Sequence, residues 1–200
     1  MAVERENVKR FKFALTPLAV ICCLVSSLSG NGPAHEGRRY RPYRDSNGIW
    51  TVCAGITGEA VVRGRQYTQA ECVRLEKSYV DRMLHAIGKC VNATLTSNEV
   101  IAWGHFAYNI GTSSFCRSTA AHLLNQGEHQ RACAQISQWV YVQGKNCNEP
   151  SNHCRGIVQR RSWERALCEG GQIPASRSPP PVGPNMTADT LFMSILNERD

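Results

Sequence analysis

Cysteine is the residue that most restricts how this chain can fold. The 200 residues include ten cysteines, a number that is unusual for a protein kept reduced in a cytosol. No two of them are spaced as Cys-x-x-Cys, which argues against a zinc ribbon or a thioredoxin-like motif. Eight lie downstream of an apolar N-terminal segment, and this even number favours disulfides formed in an oxidising compartment.

The N-terminal segment is typical of export. Three basic residues, Lys9, Arg10 and Lys12, precede an uncharged run over residues 13–34. The run reaches the roughly 20 residues that span a bilayer, but Thr, Pro and Ser make it only moderately hydrophobic. We expect residues 1–32 to be an export signal or membrane anchor. The sequence leaves open whether this segment is cleaved, permanently anchored or later released from the membrane.

The C-terminal end has a different composition from the rest of the chain. Residues 178–184 are rich in proline, and such a stretch forms an extended linker rather than a packed core. We therefore expect residues 171–200 to be a disordered tail. Residues 33–170 remain as one domain, which is long enough to bury a core of its own.

The start of this domain predicts a β-hairpin, and the remainder predicts helices. Residues 40–44 and 49–56 are strand-like, and Ser46-Asn47-Gly48 between them is a turn signal. Thr68 and Glu71 are spaced as a capping box that begins a helix. Further helices are expected from Thr96 to about Gly111, and over residues 118–125, 129–139 and 158–168. The predicted fold class is α+β, mainly helical with a small β-hairpin.

Glu36, Asp45 and Thr51 form the candidate constellation for chemistry. Glycoside hydrolysis needs one carboxylic acid to protonate the leaving oxygen and a second oxygen-bearing group to hold water or attack the sugar. The alternative is that Glu36 and Asp45 are surface carboxylates among the neighbouring arginines, and spacing alone favours that view.

The catalytic hypothesis makes a demand on the turn. A two-residue turn would pair Asp45 with Trp50 and place Asp45 and Thr51 on opposite faces. A three-residue turn pairs Asp45 with Ile49 and brings Thr51 to the same face as Asp45, with Gly48 in the left-handed conformation. The hypothesis therefore predicts the three-residue turn.

The segment from Glu36 to Gly58 resembles the phage-type lysozymes, glycoside hydrolase family 24. The resemblance is carried by Glu36-Gly37, Tyr43-Arg44-Asp45, Gly48 and Trp50-Thr51-Val52-Cys53-Ala54-Gly55-Ile56-Thr57-Gly58. It continues through Asn109-Ile110-Gly111 and Gly156 to Cys168, and covers roughly residues 33–170. A lysozyme-like fold is implied, in which the hairpin carries part of the active site.

The resemblance also implies an activity. Glu36 would be the general acid toward the bond between N-acetylmuramic acid and N-acetylglucosamine in peptidoglycan. Asp45 and Thr51 would position the attacking water or stabilise positive charge on the sugar, as in an inverting enzyme. No metal or cofactor is implied. The protein would be an endolysin that lyses a bacterial host from its periplasm, acting as a monomer that is either secreted or first tethered to the inner membrane by a signal-arrest-release type segment.

The cysteine pairing is a hypothesis, because sequence does not fix connectivity. Cys147 and Cys154 flank a short polar loop and are expected to pair. The other proposed pairs are Cys53–Cys72, Cys90–Cys116 and Cys133–Cys168. Cys22 and Cys23 are left in the export segment, either as apolar residues of a signal or as thiols that exchange with a disulfide near Thr51.

Several other residues are expected to be structural rather than catalytic. Trp103, Phe106 and Tyr108 are expected in the core rather than as sugar platforms, and His105 is expected to be structural. Arg160 and Arg161 are expected to pair with Glu164 on an ion-pair face.

Rival functions are a lytic transglycosylase, which would not need both Asp45 and Thr51, and a non-catalytic peptidoglycan-binding module. The net charge of +7 suits any polyanion, nucleic acid included. Export and the cysteines argue against a nucleic-acid partner.

Overall fold

The computed structural model describes residues 38–45 and 48–171. The order of helices and strands is β1 Arg39–Arg44, β2 Trp50–Cys53, β3 Ile56–Thr57, α1 Gln69–Cys90, α2 Ser97–Ile110, α3 Thr112–Cys116, α4 Thr119–Asn125, α5 His129–Gln135, β4 Tyr141–Val142, β5 Lys145–Asn146 and α6 Arg155–Cys168. Strands β1, β2 and β3 form one antiparallel sheet, and β4 pairs with β5. The predicted α+β class, mainly helical with a small hairpin, is confirmed.

Helices α1 and α2 begin where the sequence predicts. Thr68 caps α1, its side chain accepting from the Glu71 N–H while the Glu71 carboxylate accepts from the Thr68 N–H. Thr96 and Glu99 form the same box at the start of α2. The box satisfies backbone donors that have no partner inside the helix, and this fixes where each helix starts.

Gly111 ends α2 with a φ of +85°, a conformation that favours glycine. The sequence did not predict the short helix α3 that follows directly. Nor did it predict the β4–β5 hairpin, whose turn residues Gln143 and Gly144 have φ values of +50° and +77°. Positive φ at both turn positions is typical of a two-residue hairpin turn.

The core lies around α2. This helix is apolar on most of its faces and packs against α6, so nearly its whole middle is buried. Trp103 and Phe106 are 1% and 0% exposed and contact Phe115 of α3 edge-on or tilted. The prediction that Trp103 and Phe106 are core residues is confirmed.

Within the described residues, four disulfides connect the chain, and their pairings match the hypothesis. Cys90–Cys116 joins the end of α1 to α3, and Cys133–Cys168 joins α5 to α6. Cys147–Cys154 closes the loop before α6, and Cys53–Cys72 joins β2 to α1. The three bridges other than Cys147–Cys154 connect elements that also pack together.

The predicted export segment, residues 1–32 with Cys22 and Cys23, lies outside the described residues. So does the predicted tail from residue 172 onward. Among the helices that the structure does describe, none is long and apolar enough to cross a membrane.

Candidate active site

The β1–β2 turn has the geometry that the catalytic hypothesis requires. Arg44 lies opposite Trp50, and the Asp45 N–H donates to the Ile49 carbonyl at 3.0 Å. The Gly48 N–H donates to the Asp45 carbonyl at 2.9 Å, and Gly48 has a φ of +75°. Three residues, 46–48, therefore separate Asp45 from Ile49, and the predicted three-residue turn is confirmed.

The Asp45 side chain is tied to this turn. Its Oδ1 accepts a hydrogen bond from the Ile49 N–H at 2.9 Å, and the residue is half-buried. A carboxylate held by a backbone donor of its own hairpin keeps one orientation. The turn therefore presents the Asp45 charge at a defined place.

Thr51 sits in the middle of the sheet. It lies opposite Tyr43 of β1 and Thr57 of β3, and it is only 3% exposed. Its hydroxyl donates to the Ile49 carbonyl at 3.1 Å, which leaves the lone pairs of its oxygen able to accept a hydrogen bond. Because Asp45 follows Tyr43 by two residues, Asp45 and Thr51 share one face of the hairpin.

Glu36, the third proposed catalytic residue, lies outside the described residues, which begin with Arg38. Arg38 reaches the carboxylate of Glu76, its Nε donating to Oε1 at 3.1 Å and its terminal nitrogen to Oε2 at 2.6 Å. Hydrogen bonding to Glu76 raises the pKa of the Arg38 guanidinium above its ordinary value, so Arg38 stays charged.

Glu76 was missed by the sequence analysis. Leu75 and Tyr79, on either side of it in α1, are only half-buried. The deeper stripe runs through Cys72, Glu76 and Val80, and Glu76 is 2% exposed. Its spacing of four residues from Cys72 and Val80 is the one local signal that could have found it.

The β2–β3 turn is held through the peptide groups of Ala54. The Ala54 N–H donates to Glu76 Oε1 at 3.1 Å, and the Ala54 carbonyl accepts from the hydroxyl of Tyr108. Tyr108 also lies edge-on to Tyr79, with ring centroids 5.1 Å apart. A Cβ added at Gly55 would lie 3.4 Å from Tyr108, so glycine permits this close approach.

Cys53 reaches its disulfide from an unusual backbone conformation. Its φ is +56°, in the left-handed region that costs a non-glycine residue about 1–2 kcal/mol. The surrounding bonds hold it there. The sulfurs of Cys53 and Cys72 and a Glu76 carboxylate oxygen lie within 4.8 Å of one another, and with the sulfurs joined they form no thiolate metal site.

The opposite face of the hairpin is basic and aromatic. The guanidinium groups of Arg44 and Arg63 lie 5.1 and 5.2 Å from the Trp50 ring. The Arg44 side chain also donates to the Gly48 carbonyl at 2.7 Å, so it supports the turn. These contacts lie away from the face shared by Asp45 and Thr51.

The expected ion pair of α6 forms, but it is buried rather than on a surface face. Arg161 donates to Glu164 at 2.6 Å, with both side chains at most 1% exposed, and it also contacts Asn109 of α2. Burial lowers the pKa of the Arg161 guanidinium. His105 is fully buried and lies edge-on to Trp163, consistent with its predicted structural role.

This fold and hairpin have counterparts among known proteins. Residues 33–164, a range that includes Glu36, Asp45 and Thr51, match the family model "Phage lysozyme". A SAR-endolysin of Enterobacteria phage PA-2 is 34% identical over 155 residues, which cover 78% of this chain and 89% of that relative.

Two solved structures share this fold. A P22 lysozyme mutant aligns with a TM-score of 0.58 at 29% identity, covering 75% of this chain and 94% of its own. The muramidase domain of SpmX from Asticaccaulis excentricus aligns with a TM-score of 0.61 at 21% identity, covering 78% of this chain and 98% of its own, and shows the fold alone.

The helical domain with its small antiparallel sheet resembles a solved phage lysozyme, and the family match places the chain among the lysozyme-like glycosidases. This chain belongs to the phage lysozyme family. It is therefore a lysozyme, an enzyme whose substrate is peptidoglycan.

Proposed function

We propose that this lysozyme is an endolysin that hydrolyses the β-1,4 bond between N-acetylmuramic acid and N-acetylglucosamine, with Glu36 as the general acid and Asp45 and Thr51 as its partners. The observation that carries the proposal is the shared face of Asp45 and Thr51, produced by the three-residue turn. Glu36 precedes this hairpin within the same family-matched segment.

The chemistry divides between the two ends of the scissile bond. Glu36 donates a proton to the leaving oxygen as the bond breaks. A water molecule attacks the sugar carbon from the opposite side, as in an inverting hydrolase. The oxygen of Thr51 accepts a hydrogen bond from this water, since its own proton is directed to the Ile49 carbonyl.

Asp45 supplies the negative charge in this scheme. Its carboxylate is oriented by the Ile49 N–H, and it stabilises the positive charge that develops on the sugar ring or takes the proton of the water. Orientation by the hairpin reduces the reorganisation needed in the transition state. No step requires a group beyond these three side chains and water.

Export completes the proposal. The relative from phage PA-2 carries the name SAR-endolysin, and residues 9–34 of this chain combine a basic flank with a weakly hydrophobic run. The enzyme reaches the periplasm through residues 1–32, first tethered to the inner membrane, and lyses the host from there. We propose that it acts as a monomer, in which one chain supplies all three proposed catalytic residues.

The test compares the full-length, oxidised chain with its Glu36→Gln variant on purified peptidoglycan. Release of reducing ends by the first, and a loss of at least about a hundredfold in the second, is the expected result. Glu149→Gln is the matched control, because Glu149 is an exposed carboxylate in the loop before α6.

The products discriminate between the rival enzymes. A hydrolase incorporates one oxygen from labelled water at each new reducing end, whereas a lytic transglycosylase gives anhydro ends without it. Undiminished activity of the Glu36→Gln variant would remove Glu36 from its role. Binding of peptidoglycan without any cleavage by the folded chain would leave a binding module.

A further inference from the structure

Glu76 is a buried charge that holds two separate segments together. It extends from α1 and is 2% exposed, while the Arg38 side chain is 16% exposed. The carboxylate accepts two hydrogen bonds from Arg38, at 3.1 and 2.6 Å, and a third from the Ala54 N–H at 3.1 Å. One side chain of α1 therefore contacts the chain just before β1 and the turn after β2.

Such an arrangement is costly if stability alone is at stake. Removing two charges from water carries a desolvation cost that their attraction barely offsets, and apolar residues of similar size often serve stability as well or better. A bidentate Arg–carboxylate pair adds geometric definition, since its two parallel hydrogen bonds fix both distance and angle. The pair is thus better suited to setting a geometry than to strengthening the core.

The Arg38–Glu76 pair lies near the proposed general acid along the chain. Glu36 precedes Arg38 by two residues, so their Cα atoms are at most roughly 7 Å apart. Ala54 follows Thr51 by three residues, and its carbonyl is held from the other side by Tyr108 of α2. Helices α1 and α2 therefore both anchor the turn at Ala54. Arg38 binds the same Glu76 carboxylate that accepts the hydrogen bond from this turn.

We infer that Arg38 and Glu76 are positioning residues, which hold the segment carrying Glu36 at a fixed place relative to Asp45 and Thr51. This inference rests on the proposed role of Glu36. Neither residue needs to touch the substrate. Loss of the pair lets the acid move relative to the hairpin, and displacement by about 1 Å can cost a hundredfold in rate.

The test is a double-mutant cycle on the full-length, oxidised chain, with soluble glycan strands of peptidoglycan as substrate. Arg38→Met and Glu76→Leu are each expected to lower kcat by about ten- to a hundredfold while KM stays within about twofold. The double variant is expected to be no slower than the slower single variant, because both changes remove the same link.

Two further variants keep the result interpretable. Arg165→Met is the matched control, since Arg165 pairs with Glu169 on the exposed side of α6, and its kcat should be unchanged. Arg38→Lys retains the charge but not the planar pair of donors, so its kcat should fall between those of the wild type and Arg38→Met. The double variant and Arg38→Lys decide the question if either single variant fails to fold.

Each outcome separates the two ideas. If Glu36→Gln is inactive while Arg38→Met, Glu76→Leu and Arg38→Lys keep the wild-type kcat and lower only the melting temperature, the pair is structural and the positioning inference is overturned. If Glu36→Gln is fully active, the proposed function fails instead. Additive losses in the double variant would also overturn the inference, because they would show independent roles.

Discussion

Thr51 illustrates how a single hydroxyl can be committed to one direction. Its proton is directed to the Ile49 carbonyl, and its position opposite Tyr43 and Thr57 leaves the side chain 3% exposed. Thr51→Val keeps the shape but removes the acceptor, so kcat should fall by about ten- to a hundredfold. The free energy of unfolding should fall by only about 0.5–1.5 kcal/mol.

The control for this variant is on the neighbouring strand. Thr57→Val alters an exposed threonine directly opposite Thr51, and it should leave kcat and the melting temperature close to wild type. Reducing-end release and thermal unfolding measure both variants. A Thr51→Val enzyme as fast as the Thr57→Val enzyme would mean that the hydroxyl serves the sheet and not the water.

Substitution can separate the hydrogen bond that Asp45 makes within the turn from the catalytic charge proposed for it. Asp45→Asn keeps an oxygen to accept from the Ile49 N–H, so the turn and the melting temperature should be preserved. The charge is lost, and kcat should fall by about a hundredfold or more. Asp45→Ala should lose activity to the same degree and about 1 kcal/mol of stability as well. Equal activity of Asp45→Asn and the wild type would limit Asp45 to the turn.

The sequence predicted the positions of those residues whose placement depends on local backbone geometry. The placement of Asp45 and Thr51 on one face follows from a three-residue turn and the alternation of a strand. Glu76 was not predicted, because its partner Arg38 is 38 residues away in the chain. A glutamate between apolar positions of a helix gives no sign of which distant donor will neutralise it.

At the scale of elements, the start of α1 carries a prediction about pH. The Glu71 pKa is lowered from its ordinary value of 4.5, first by the hydrogen bond from the Thr68 N–H, with the Thr68 hydroxyl and Arg65 contributing. A lowered folded-state pKa means that the stabilisation is present above the unfolded value and is lost as the pH falls through the folded one.

Glu71→Gln should therefore lower the melting temperature most above about pH 5, and the difference from wild type should shrink as the pH falls below 4.5. Thermal unfolding measured from neutral to acidic pH checks this. Glu59→Gln is the control, because Glu59 is exposed and lies outside the long helices. A difference that stays constant across the whole pH range would contradict the assignment.

The elements that escaped prediction are the short ones. The capping boxes at Thr68 and Thr96 are local, so the starts of α1 and α2 could be predicted from the sequence. By contrast, α3 has five residues and β4 and β5 have two each, too few for any period to be visible. At these elements the chain changes direction at residues with positive φ, namely Gly111 before α3 and Gln143 and Gly144 between β4 and β5.

At the scale of the whole molecule, we expect the disulfides to differ in their effect on activity. Cys90–Cys116 closes a sequence separation of 26 residues within the helical part of the domain. Cys53–Cys72 closes 19 residues and joins the strand of Thr51 to the helix of Glu76. Loop closure of either size contributes about 3 kcal/mol by constraining the unfolded chain.

Paired replacement by alanine should separate stability from activity. Cys90→Ala with Cys116→Ala should lower the free energy of unfolding by about 3 kcal/mol and leave kcat unchanged at a temperature where the chain stays folded. Cys53→Ala with Cys72→Ala should lower both, because the bridge then no longer helps to hold residue 53 at its φ of +56° beside Ala54. Denaturant unfolding and reducing-end release measure the two quantities. If the two double variants lose stability alike and both keep kcat, the Cys53–Cys72 bridge contributes to the fold alone, and the hairpin is held in its active geometry by Glu76, Arg38 and Tyr108 without it.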